Sequence, residues 1–190
     1  MRHKDDSKRV AISNAAIELI TTIGFAETSM SKIAKAANVS PATIYVYFEN
    51  KEDLLNKIYL MVKRETSEAF LAGYDDSLPV EEGFRLIWDN GFRYMLTNPT
   101  RFAFNEQFAN SPLVNRVNRE EGSEYFQAVI NLYERGKQEG IFKDIPHSLF
   151  VAFFYAPPMM LGKQHRNGEL VLDRVLQQKA FEFVWNALTL

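Results

Sequence analysis

The chain contains no cysteine in its 190 residues, which excludes disulfides and thiolate metal sites and is compatible with a reducing compartment. Its three histidines, His3, His147 and His165, show no paired metal-ligand spacing. A GxSxG elbow, a phosphate loop and a dinucleotide fingerprint are all missing. The adjacent pairs Asp75-Asp76 and Glu120-Glu121 cannot face each other on a helix, so they read as solvated charge and not as an acid-base couple. These absences point away from an enzyme, and no cofactor or metal is expected. No unbroken apolar run approaches the ~20 residues of a membrane span. The start, MRHKDDSKRVAISNAA, is charged without an apolar signal core. A soluble, cytoplasmic protein without a membrane partner is therefore expected. No alternating segment is long enough for a strand, and Gly140-Ile141-Phe142 reads as a connector.

There is also no excess of either charge, since the formal net charge is -2. Residues 1–60 hold eight Lys or Arg against seven Asp or Glu, a net +1, which leaves -3 for the rest. An anionic partner would have to be held by the placement of charge and not its amount, with Arg2, Lys4, Lys8, Arg9, Lys32, Lys35 and Lys51 as candidates. Each of these is equally open to an ordinary solvated role.

The richest stretch is residues 28–55, TSMSKIAKAANVSPATIYVYFENKEDLL. Before it, Ile12, Ala16, Leu19, Ile20 and Ile23 mark one face of a helix over 8–23 that Gly24 ends. Ile33 and Ala37 give a one-sided short helix closed by Asn38, a residue that tolerates a left-handed backbone. Ser40 has the type and place of an N-cap, Pro41 takes the first helical position, and Val39 and Ile44 occupy the staple positions. On a wheel, Ile44 and Phe48 fall on one side of this next helix, and Ala42, Thr43, Tyr45 and Val46 fall around the other. An outer face of hydroxyls and small apolar groups suits a DNA major groove, where it meets phosphates, base edges and thymine methyls. The plainer alternative is a helical hairpin inside some other α protein. Asn50 then caps a long helix reaching about Ala72, with Leu54, Leu55, Ile58 and Val62 turned inward and Lys51 near an anion-attracting N-terminus.

Gly24-Phe25, Thr28-Ser29, Ile33-Ala34, Val39-Ser40, Thr43-Ile44-Tyr45, Tyr47-Phe48 and Asn50-Lys51-Glu52-Asp53-Leu54 fall in order and in register with a known pattern. They closely resemble the N-terminal domain of the tetracycline-repressor (TetR) family of bacterial transcription regulators. The resemblance is specific over roughly residues 8–60 and general beyond. Two positions depart from it: Asn38 stands at the turn glycine, and Val46 stands where an aromatic residue or His is frequent. By this resemblance Ser29, Ser31, Thr43, Tyr47 and Lys51 would contact the DNA backbone, while Pro41, Ala42, Tyr45 and Val46 would face bases.

Beyond Gly73, the break Asp75-Asp76-Ser77-Leu78-Pro79 leads into helical periodicity, with helices expected over 79–97, 99–109, 113–138, 146–164 and 169–188. Pro157 and Pro158 should kink or break the penultimate one. The expected fold is all-α: an N-terminal three-helix, helix-turn-helix DNA-binding domain over 1–50, extending into the next helix at 51–60, and a larger helical ligand-binding and dimerisation domain over 51–190.

The second region is dense in aromatic residues and Met, which either pack a core or line an apolar cavity. The resemblance implies such a pocket, with Trp88, Phe92, Met95, Phe104, Phe108, Tyr125, Tyr133, Phe154 and Met159 as candidate ligand contacts. It also implies that the last two helices build a dimer. The last one, with Leu170, Val171, Val175, Leu176, Phe181, Val184, Trp185 and Leu188, has more apolar surface than one helix face needs. The partners expected are therefore double-stranded DNA with a palindromic operator, a small apolar or aromatic effector, and a second copy of the chain. The reading is a repressor released by its effector. The alternative is an all-helical protein-binding adaptor without sequence-specific DNA recognition.

Overall fold

The computed structural model describes residues 2–109, 111, 113 and 116–190, with side chains of 2–5 and 116–119 excepted. The candidate contacts Arg2 and Lys4 therefore lie outside the described side chains. Ten helices follow in order: α1 Arg2–Glu27, α2 Met30–Ala36, α3 Pro41–Tyr47, α4 Lys51–Phe70, α5 Val80–Thr97, α6 Pro99–Ala109, α7 Arg116–Glu124, α8 Gln127–Gln138, α9 His147–Arg166 and α10 Arg174–Leu188. Among the described residues the sole β pairing is an isolated bridge between Phe142 and Thr189. The all-α expectation holds.

The chain divides into two compact units that ignore the break at residues 73–79. Unit 1 comprises Met1–Arg64 and Thr100–Gly122, and unit 2 comprises Glu65–Pro99 and Ser123–Leu190. The division thus falls inside α4, and α6 joins the N-terminal helices. Phe104 and Phe108 of α6 stack at 5.7 Å, and Phe108 meets Phe25 at 5.7 Å and Tyr59 at 5.4 Å. Such a long-range pairing leaves no local periodicity to read.

In unit 1 the core is built from Ile12, Ala16, Ile17 and Ile20 of α1, Ile33 and Ala34 of α2, Ile44 of α3, and Leu54, Leu55, Ile58 and Val62 of α4. Ile23, expected on the inner face of α1, is exposed. The one-turn continuation to Glu27 carries it past Gly24, whose φ of 81° and ψ of 171° interrupt the helical path. By length and composition alone, Asp6–Glu27 is long and apolar enough to cross a bilayer. A search for an unbroken apolar run passes over it because Ser, Thr and Gly are interspersed.

The turn between α2 and α3 follows the sequence closely. The N–H of Ala37 donates to Ile33 O at 2.8 Å, and the N–H of Val39 donates to Ala34 O at 3.0 Å. Between them Asn38 adopts φ 54°, the left-handed conformation that the turn requires. Ser29 and Ser40 cap α2 and α3, their hydroxyl oxygens accepting from the N–H of Lys32 and Thr43 at 3.2 Å each. Asn50 Oδ1 accepts from the N–H of Asp53 at 2.9 Å to start α4. Asp53 returns the favour to the preceding loop, accepting from the N–H of Glu49 at 2.9 Å and from Lys57 Nζ at 2.8 Å. Partial burial pushes the Asp53 carboxyl upward, but the Lys57 and Glu49 hydrogen bonds outweigh it and hold the group below its ordinary value.

Unit 2 packs α5 against α8, α9 and α10. Phe84 of α5 is its hub, with the rings of Trp88, Phe142, Phe150, Phe154, Phe181 and Trp185 all centred within 6.3 Å of it. Gly136 of α8 lets Phe142 lie on bare backbone, in space that a Cβ would occupy. Tyr133 pins the connector after α8: its hydroxyl donates to Ile145 O at 2.6 Å and accepts from the N–H of Ile145 at 2.9 Å. Buried Asn90 donates to the carbonyls of Phe70 at 3.0 Å and Ala72 at 2.9 Å, closing the C-terminus of α4.

Three helix expectations need correction. The single helix over 113–138 is two, parted at Phe126, where φ -105° and ψ 15° precede α8. The last helix begins at Arg174, not 169, because Asp173 caps it by accepting from the N–H of Leu176 at 2.8 Å. The break expected at Pro157 and Pro158 does not occur, since α9 continues through both. The two prolines withhold donors from the carbonyls of Phe153 and Phe154. The helix survives because Phe150, Phe154, Pro158 and Gly162, four residues apart in turn, form one buried stripe.

Two outcomes follow for unit 1. Asn38→Ala should lower stability by about 1 kcal/mol in a denaturant titration while Asn38→Gly stays near neutral, because only the former forces a Cβ without a local polar partner into the left-handed region. Asp53→Asn should cost about 0.5 kcal/mol at neutral pH. Because the native carboxyl is shifted down, that difference should be full above the ordinary carboxylate range and close as pH falls through it. A gap that persists in acid would contradict the assignment.

Candidate nucleic-acid interface

Burial sets how α3 is turned. Ile44 and Phe48 lie in the core of unit 1 with Ile33 and Ala34 of α2. That leaves Pro41, Ala42, Tyr45 and Val46 facing solvent, with Tyr45 55% and Val46 76% exposed, while Thr43 and Tyr47 are half-buried at the flanks. Ser29 and Ser31 at the start of α2 are exposed as well. An uncharged patch of hydroxyls, one phenol and an isolated Val is costly to solvate and well matched to base edges and methyl groups. The Ser40 and Thr43 hydroxyls are 2.9 Å apart, so Thr43 is already oriented by the cap.

The cations nearby are partly engaged within the chain. Lys51 Nζ donates to Phe25 O at 2.6 Å, tying the start of α4 to the segment after Gly24. Lys32 Nζ donates to Glu27 O at 2.7 Å and lies 3.6 Å from the Glu27 carboxylate. An ammonium has three donors, so each retains capacity for a phosphate oxygen. Arg9 and Asp6 approach to 3.8 Å on the surface. Sequence reasoning overlooked the tie from Lys51 to Phe25, which spans 26 residues and has no local signal.

The nine candidate ligand contacts do not gather at one place. Trp88, Met95, Phe154 and Met159 line an apolar cavity in unit 2, together with Phe70, Ile87, Gly91, Tyr155 and Pro158, which the sequence did not single out for this role. Phe92 is packed beside Trp88 at 5.7 Å in the core, and Tyr133 is committed to the Ile145 connector. Tyr125 lies in the break between α7 and α8. Phe104 and Phe108 belong to the core of unit 1 and have no part in the cavity. Among the described residues no cluster of three or more His, Asp or Glu could hold a metal. His147 instead pairs with Glu134, and His165 Nδ1 accepts from the N–H of Leu172 at 3.3 Å.

Comparison with known proteins agrees with this geometry. Residues 12–58 match the family of bacterial regulatory proteins, tetR family, and residues 79–189 match the tetracyclin repressor-like C-terminal domain. A TetR family transcription regulator from Marinobacter aquaeolei VT8 has 32% identity and a TM-score of 0.94, covering 100% of this chain and 99% of that one. A TetR family protein from Vibrio parahaemolyticus has 32% identity and a TM-score of 0.82, over 96% of this chain and 99% of that one. An HTH-type transcriptional regulator of Haemophilus influenzae is 31% identical over 112 residues, which is 59% of this chain and 60% of that protein's length. The match to YhgD of Bacillus subtilis, another HTH-type regulator, spans 40% of each chain at 36% identity. These relatives are regulators and not enzymes. The chain belongs to the TetR family of bacterial transcription regulators, and α2 with α3 is its DNA-binding helix-turn-helix.

Proposed function

We propose that the protein is a homodimeric repressor that reads a palindromic operator through α3 and is released from it by a small apolar or aromatic effector. The observation that carries the reading is the outer face of α3, where Tyr45 and Val46 stand in solvent with no charged residue among the helix's own seven positions. Pro41, Ala42, Tyr45 and Val46 face bases, and Ser29, Ser31, Thr43, Tyr47 and Lys51 hold the sugar-phosphate backbone. With a net charge of -2, one subunit has little general attraction for DNA. A two-fold dimer doubles the contacts and spaces two recognition helices along the duplex.

The dimer surface proposed is formed by α9 and α10. Leu149, Phe153 and Met160 on α9 are exposed, and so are Val175 and Phe183 on α10. Phe183 is 79% exposed, a burden that an isolated subunit gains nothing from. The effector is placed in the cavity lined by Phe70 and Trp88. Its volume here is about 20 Å³, room for one water and not for an organic molecule. Effector entry therefore requires rearrangement, and Met95 and Met159 are the flexible walls. Phe70 in that wall is the last residue of α4, the helix that starts at Lys51, so a ligand that displaces Phe70 selects between two positions of α4.

Selection of tight-binding duplexes from a random pool should recover an inverted repeat. Tyr47→Ala should weaken binding on specific and random DNA alike. Val46→Ala should instead relax preference at one position of each half-site by about 1 kcal/mol or less. Equal losses for both variants on all DNA would remove the division of roles, and a folded dimer that enriches no sequence would favour the adaptor reading. Light scattering should give about twice the 21.9 kDa chain mass, and Phe183→Glu should shift it to the single-chain value with the helical circular dichroism unchanged.

A further inference from the structure

Two residues in the wall of the unit 2 cavity carry hydrogen-bond donors that are buried and reach no acceptor among the described residues: Trp88 Nε1 and Tyr155 Oη. Trp88 is 2% exposed. Native proteins leave few such groups unmatched, because each buried orphan forfeits the hydrogen bond it made to water in the unfolded chain. Both rings are held from several sides. Trp88 sits among Phe84, Phe92, Phe154 and Phe181, and Tyr155 stacks on Phe70 at 6.2 Å and meets Phe126 and Phe154 edge-on. Packing this tight leaves neither side chain free to swing its donor out to solvent.

The remaining wall, Phe70, Ile87, Gly91, Met95, Phe154, Pro158 and Met159, holds no charged side chain. Burial pushes the Tyr155 phenol well above the ordinary tyrosine range, so it stays protonated and remains a donor. We infer that this cavity takes a neutral apolar ligand bearing a hydrogen-bond acceptor, a carbonyl compound of the ketone, ester or amide class, which satisfies the donors of Trp88 and Tyr155. The assignment rests on the effector reading above and adds the chemistry of the ligand. A carbonyl oxygen has two lone pairs and can accept from both groups. A hydrocarbon would fill the same space and leave both donors orphaned. A carboxylate would lose its hydration with no cation in the wall to replace it. Gly91 shapes the same wall, since a Cβ there would stand 3.1 Å from the Phe70 ring and drive that ring toward the cavity.

The test is a calorimetric titration of the full-length protein at neutral pH with three molecules of similar shape: acetophenone, ethylbenzene and ionised benzoate. Acetophenone should bind about 3- to 10-fold more tightly than ethylbenzene, the factor one net hydrogen bond supplies, and benzoate should bind most weakly. Tyr155→Phe should erase that preference while leaving ethylbenzene affinity unchanged. It should also raise the melting temperature of the ligand-free protein, because it deletes an unmatched hydroxyl. Equal affinity for the three, a preference for benzoate, no binding, or a lower melting temperature for Tyr155→Phe would each overturn the assignment. Binding with the stated preference but without release of the selected operator would uphold the cavity chemistry and defeat the effector reading. Operator release by a different class of compound, with no binding of acetophenone, would do the reverse.

Discussion

Ile44 and Phe48 lie four residues apart at the end of a seven-residue helix, and the core takes both. A helix this short has almost no stability of its own, since nucleation costs more than a handful of backbone hydrogen bonds return. α3 therefore exists because Ser40 caps it, Pro41 starts it and the core holds Ile44. Truncating a fully buried Ile to Ala typically costs ~2–5 kcal/mol, more than the helix could supply from its backbone. The same burial fixes the rotation of α3 about its axis. Once Ile44 points inward, the 100° step per residue leaves Tyr45, Val46 and Ala42 no direction but outward. Structure and recognition surface are thus set by one packing decision.

Charge has a secondary part. The lysines best placed near the helix-turn-helix are also internal fasteners: Lys51 holds the carbonyl of Phe25, and Lys32 holds that of Glu27. Asp53 works in the same way from the acidic side, bridging the loop at Glu49 and Lys57 one turn further along α4. With positive charge this sparse, shape and the uncharged outer face of α3 must carry more of the discrimination between sequences, and the general attraction to phosphate carries less.

The aromatic hub of unit 2 answers a different demand. Seven rings around Phe84 give a large buried apolar volume with preferred edge-to-face contacts. Tyr133 shows how such a core normally treats a polar tip, with its hydroxyl matched twice by Ile145. Trp88 and Tyr155 do not follow that rule, and they do so at the same cavity. Local rules tend to fail at functional positions, where a protein keeps a group poised for something it does not itself contain.

Much of unit 1 was legible because its signals are local. Asn38 at a left-handed turn, Ser29, Ser40 and Asn50 at caps, and the 3.6-residue stripes of α1 and α4 each depend on neighbours a few residues away. The sequence by itself therefore determined the all-α class, the helix-turn-helix and the outward residues of α3. Only the tertiary structure decided that Phe104 and Phe108 belong to the N-terminal core, that α9 continues through Pro157 and Pro158, and that Phe70, Gly91 and Tyr155 share a cavity with Trp88. The physical reason is common to all three. Burial between helices distant along the chain is a matter of which surfaces meet, and an aromatic residue has the same periodic signature whether it fills a core, braces a helix against missing hydrogen bonds or lines a site.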